Sequence, residues 1–172
     1  MKKGFILQNP AERDSGGFSI IEFLIYIAIL AIAIAGMGLI LSNIFRVGVR
    51  TDIVQEVSYN GRFAIQRIGQ VVKESSGIIK PETEENRLEL SFENQAKNPT
   101  VFDVSEGKLR IKEGNKEYIE LTTSRVVVDK LLFKKVSDDS VKVEINISFY
   151  NPQGLPEYEF NSFFTSSFSL RN

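Results

Sequence analysis

Three patterns of polar and apolar positions follow one another along this chain. Residues 1–17 mix charges with isolated apolar side chains, and Pro10 argues against one continuous helix there. From Phe18 to Ser42 apolar and small residues run almost unbroken, with one charge, Glu22. Phe23 to Leu41 carries no charge at all. A helix rises about 1.5 Å per residue, so that stretch spans roughly 28 Å, close to the hydrocarbon thickness of a bilayer. Beyond it, Val54, Val57, Ala64, Ile65, Ile68, Val71 and Val72 recur mostly at spacings of three and four, one face of an amphipathic helix. Arg50, Asp52, Gln55, Glu56, Arg62, Gln66, Arg67 and Lys73 fall on the other faces. Ser75-Ser76-Gly77 predicts the stop, with Gly77 in the left-handed cap conformation. Gly36, Gly38, Gly48 and Gly61 interrupt the helix. Each costs roughly 0.8–1.0 kcal/mol relative to Ala, and both close helix packing and local unwinding are open as reasons.

After Gly77 the period changes from 3.6 to 2. Leu88, Leu90 and Phe92 alternate with polar residues, and so do Leu109 and Ile111. Glu113-Gly114-Asn115-Lys116 predicts a hairpin turn into Tyr118–Leu121. Val126–Phe133 reads as a more continuously apolar strand. Val141, Val143, Ile145, Ile147 and Phe149 alternate cleanly, with Asp138-Asp139 as the preceding turn. Pro152–Pro156 reads as a loop. The last strand puts Tyr158, Phe160, Phe164, Phe168 and Leu170 on one parity and Phe163 on the other. Half-buried strands need a cover, and the amphipathic helix is the only helical candidate. The expected fold class is therefore α+β, an antiparallel sheet packed on a long N-terminal helix.

Composition excludes several chemistries. Among 172 residues there is no Cys and no His, so disulfides, His-based triads and His or Cys zinc sites are absent. Net charge is −1, which gives no electrostatic reason for nucleic-acid binding. The acidic pairs Glu84-Glu85 and Asp138-Asp139 read as solvated loops, not catalytic carboxylates. Lys134-Lys135 reads as a solvated strand end. Asn146-Ile147-Ser148 fits a glycosylation sequon but lies in a strong strand. Phe160, Phe164 and Phe168 read as core, and Phe163 as an exposed or interface aromatic. No catalytic, cofactor or metal residue is expected.

A carboxylate at the edge of an apolar span needs a partner, which singles out Glu22. Gly17-Phe18-Ser19-Ile20-Ile21-Glu22 resembles the signal of type IV prepilins and pseudopilins. In that family a Gly precedes the cleaved bond and an apolar residue follows. A Glu stands at the fifth mature position, and a long hydrophobic helix continues. The resemblance implies cleavage between Gly17 and Phe18 by a prepilin peptidase and methylation of the Phe18 amine. It also implies that Glu22 registers subunits by pairing with a neighbour's N-terminal amine. Asn60-Gly61-Arg62-Phe63-Ala64-Ile65 is similar to a helix segment of minor pilins and pseudopilins of the W and J type. Val71-Val72-Lys73 departs from the Asp-Leu-Arg that follows there. Ser166–Asn172 resembles the endings of that group.

These readings divide the chain into a leader (1–17), a transmembrane or filament-core half-helix (18–45), an amphipathic half-helix (46–76) and a β-sheet domain (77–172). The implied function is a structural subunit of a type IV pilus or secretion-like filament, not an enzyme. It would be single-pass in the inner membrane with a cytoplasmic N-terminus. Its partners would be the prepilin peptidase, other pilin subunits, the inner-membrane assembly platform and the bilayer. The flanking charges, Lys2, Lys3 and Arg13 against Arg46 and Arg50, leave orientation to the resemblance. Three other readings fit the span: a plain signal anchor, a single-span sensor or binding protein, and a secreted domain cut near Ala31–Ala35.

Overall fold

The computed structural model describes residues 19–171, and the side chains of Asn43, Phe45 and Arg46 are outside that description. The leader, Gly17 and Phe18 therefore lie outside the described residues. Among the described residues one α-helix, α1 (Ile20–Glu74), precedes nine strands. They are β1 (Gly77–Lys80), β2 (Glu84–Glu85), β3 (Leu88–Ser91), β4 (Thr100–Ser105) and β5 (Lys108–Glu113). β6 (Ile119–Glu120), β7 (Val126–Ser137), β8 (Ser140–Phe149) and β9 (Asn161–Ser169) complete them. The α+β arrangement is the expected one. Two compact units divide the chain between Ile44 and Phe45.

In the first unit, every described side chain from Ser19 to Ser42 is exposed except Glu22, which is half-buried. Among the described residues nothing covers this apolar surface. By length and composition α1 is able to cross a membrane.

The second unit builds its core from the end of α1 and two antiparallel sheets, where the strand pattern predicts one. The sheets have strand orders β1-β3-β4-β5-β6 and β2-β7-β8-β9. One apolar cluster joins them: Val57, Ala64 and Ile68 of α1 with Leu88, Phe102 and Leu109 of the first sheet and Phe133, Val143 and Ile145 of the second. The period-2 runs face inward as their alternation requires. β4 and β5 meet through Glu106-Gly107, with φ of 52° and 70°. Two successive left-handed residues define the turn that matches strand twist, and Gly supplies the second without strain.

Several expectations are corrected. The buried face of α1 is centred on Ile53, Val57, Asn60, Gly61, Ala64, Ile68 and Val72, while Val54 is rotated to its margin. Gly77 is not a left-handed cap; it opens β1, paired with Ser91. The helix instead ends on Ser75, whose hydroxyl donates to the Val72 carbonyl at 2.7 Å. Glu84-Glu85 is not a loop but a short strand on the edge of β7, opposite Lys134 and Phe133. Tyr158 belongs to a 3-10 turn, Pro156–Tyr158, and not to the last strand. Phe163 is exposed, as its parity predicts.

The approach of α1 to β9 explains Gly61. A Cβ there would lie 2.1 Å from the Phe164 ring, and one at Gly69 would lie 2.3 Å from Phe168. The missing side chains let the helix backbone rest on two aromatic rings. Helix periodicity alone does not single out Gly69. An eight-residue glycine spacing matched to a four-residue Phe spacing was the available signal, since about 12 Å of helix spans about 13 Å of strand.

Candidate functional site: an apolar helix with one carboxylate

Ser19 starts the helix, its carbonyl accepting the Phe23 N–H at 3.1 Å. Glu22 then falls in the first turn, where a carboxylate is favoured by the helix dipole. Tyr26, one turn on, donates its hydroxyl to Glu22 Oε1 at 3.0 Å. Ser42 returns its hydroxyl to the Gly38 carbonyl at 2.9 Å. The apolar half thus satisfies its polar side chains locally, as a lipid-facing helix requires. Of the sequence-predicted residues, the structure places Glu22 here, while Gly17 and Phe18 lie outside the described residues.

A second constellation ties α1 to the domain. Asn60 is 1% exposed. Its Nδ2 donates to the Glu56 carbonyl at 2.9 Å, and its Oδ1 accepts the Thr123 N–H at 2.9 Å. Thr123 Oγ1 donates to Glu56 Oε1 at 2.7 Å, and Arg125 pairs with Glu56 Oε2 at 3.1 Å. Lys108 holds the other side of that loop, donating to the Thr123 and Val126 carbonyls. Burial pushes the Lys108 ammonium below the usual lysine range, partly offset by the Glu120 charge. Asn60 in the Asn-x-Arg-aromatic-Ala segment therefore has a structural reason: it pins the helix to the loop that leads into β7. Arg62 and Phe63 of that segment are exposed, and Phe63 stacks on Tyr59 at 6.3 Å between centroids.

Several further charges are paired on the surface. Arg110 forks onto Asp103 at 2.9 and 3.0 Å and lies 4.1 Å from the Tyr118 ring. The hydrogen bond to Asp103 raises the Arg110 guanidinium above its ordinary value. Hydrogen bonds from Lys116, Lys135 and Lys142 hold the Glu113, Asp138 and Glu144 carboxyls below theirs. Among the described residues no group of three His, Cys, Asp or Glu side chains could hold a metal ion. What these residues offer is a helix long and apolar enough to span a membrane, a single carboxylate in its first turn, and a folded second unit.

That combination fits a membrane-anchored protein. The prokaryotic N-terminal methylation motif matches residues 13–38, which span the Gly17–Glu22 signal and most of the apolar run. The chain is type IV pilin-like and carries a prepilin signal. No curated protein and no solved structure matches it.

Proposed function

We propose that this chain is a minor pilin or pseudopilin, a subunit of a type IV pilus or type II secretion-like filament. In this reading a prepilin peptidase cleaves between Gly17 and Phe18, and the Phe18 amine is methylated. The precursor sits in the inner membrane with its N-terminus in the cytoplasm. An assembly platform then lifts the subunit into a filament, where residues 18–45 pack with neighbouring helices. Glu22 registers the subunit against a neighbour's amine, because an unpaired carboxylate among apolar helices is costly. The domain of residues 77–172, with the amphipathic half-helix 46–76, faces outward or caps the tip and meets other minor subunits.

The observation that carries this reading is the methylation motif running directly into a helix whose apolar half is exposed among the described residues. The Asn60 segment and the Ser166–Asn172 ending support the minor subtype by their likeness to that group. The test is the intact mass and N-terminal residue of the protein from native membranes. A chain beginning at N-methylated Phe18 is expected. A chain still beginning at Met1, in cells with active prepilin peptidase, would overturn the proposal and favour a single-span sensor or binding protein. Glu22→Ala should insert normally yet fail to enter filaments, and normal filaments would remove the registering role.

A further inference from the structure

Glu22 has a partner within its own chain. The Tyr26 hydroxyl lies 3.0 Å from Glu22 Oε1, one helical turn away, where side chains face each other. Glu22 is also the only described residue between Ser19 and Ser42 that is not exposed. We infer that Tyr26 is a positioning residue for Glu22: its phenol holds the carboxylate in the membrane-inserted subunit and leaves it oriented for a cationic partner. This rests on the proposed registering role of Glu22.

The chemistry favours tyrosine over the aliphatic residues that fill the rest of the span. An ionised carboxylate accepts only, through about four lone-pair sites on two oxygens, and a phenol has one donor. Tyr26 occupies one site on Oε1 and leaves Oε2 for an ammonium group. The donor is neutral, so it offsets part of the desolvation cost without removing the charge that a neighbour's amine must find. Its ring is apolar, and tyrosine is at home where an apolar layer meets a polar one. Leu, Ile or Ala at that position would remove the one donor that Glu22 has among the described residues. A Lys would satisfy the charge permanently and compete with the incoming amine.

The test uses the full chain in lipid bilayers and isotope-edited infrared spectroscopy of ring-labelled tyrosine. The difference between wild type and Tyr26→Phe isolates the Tyr26 C–O band, which separates a donating phenol from a non-donating one. Glu22→Ala should move that band to the non-donating position. An unchanged band would overturn the inference. In the native host, Tyr26→Phe should be inserted and processed normally but enter filaments about tenfold less often, the scale of one charge-assisted hydrogen bond. Incorporation equal to wild type would also overturn it. If instead Glu22→Ala enters filaments normally, the registering role itself fails, while the infrared band still reports whether Tyr26 donates to Glu22.

Discussion

Gly61→Ala should destabilise the domain, although alanine is the better helix former. The added Cβ would meet Phe164 at 2.1, 2.3 and 2.5 Å from three ring atoms. Ordinary carbon contacts lie near 3.5–4.0 Å, so the ring must move by more than ~1 Å. Overpacking of this kind costs about 1–3 kcal/mol. Alanine returns about 1 kcal/mol of helix propensity. The net expectation is a loss of about 1 kcal/mol. Removing the ring reverses the sign. In a Phe164→Ala background the clash is gone and the propensity gain remains, so Gly61→Ala should stabilise by up to about 1 kcal/mol. The two substitutions are then coupled by about 2 kcal/mol. Urea unfolding of the full chain in detergent micelles, followed by tyrosine fluorescence in the absence of tryptophan, measures all four variants. An equal effect of Gly61→Ala in both backgrounds would show that the ring does not dictate the glycine.

Asn60→Ala should cost about 1–3 kcal/mol, because it removes bonds to Glu56 and Thr123 at a buried position, and the same urea titration reads it. The domain should also lose stability in acid. The Glu113, Asp138 and Glu144 carboxyls are held below their ordinary values of 4.5, 3.8 and 4.5. A depressed folded-state value means the stabilisation is present above the ordinary value and is lost as pH falls through the lower, folded one. Urea midpoints should therefore be flat near neutrality and drop below those values. High salt should flatten the drop, since these pairs are at the surface. A midpoint independent of pH in that range would sink this account.

Most of the fold was legible because its elements have clean periods. β8 alternates over its whole length, and its odd-numbered positions from Val141 to Ile147 are fully buried. The Phe163 parity was legible for the same reason. β4 was not anticipated, because Val101 and Phe102 are both buried and break the alternation. Val101 lies opposite Glu89 and Lys112, and Phe102 opposite Leu88 and Ile111, so the two residues occupy different faces. The division into two sheets was not legible either, since period 2 reports which face a residue takes and not which strand it pairs with. On α1, Asn60 belongs to a family-like segment, but the pattern of polarity does not report its burial. A buried amide is tolerable only because Thr123, far away in sequence, meets it. The candidate site shows the same division. Glu22 stands out as a lone charge in an apolar run, whereas the role of Tyr26 depends on a rotamer that no pattern of polarity reports.

The glycines show how one helix serves two environments. Gly61 and Gly69 are already filled from within the domain, by Phe164 and Phe168. At Gly36, Gly38 and Gly48 no described atom beyond the local helix backbone and the neighbouring residues lies within 4 Å of where a Cβ would stand. The same residue type therefore carries an internal constraint in one stretch and none in the other. The apolar core follows the same boundary: its helical members begin at Ile53, and no described side chain between Ile20 and Leu41 is among them. Substitutions in the exposed apolar stretch should accordingly leave the domain folded, because they remove nothing that its core contains. That separation gives the Glu22 and Tyr26 variants their meaning. A subunit that inserts, is processed and keeps its domain intact, yet fails to assemble, reports on the chemistry of the helix surface alone.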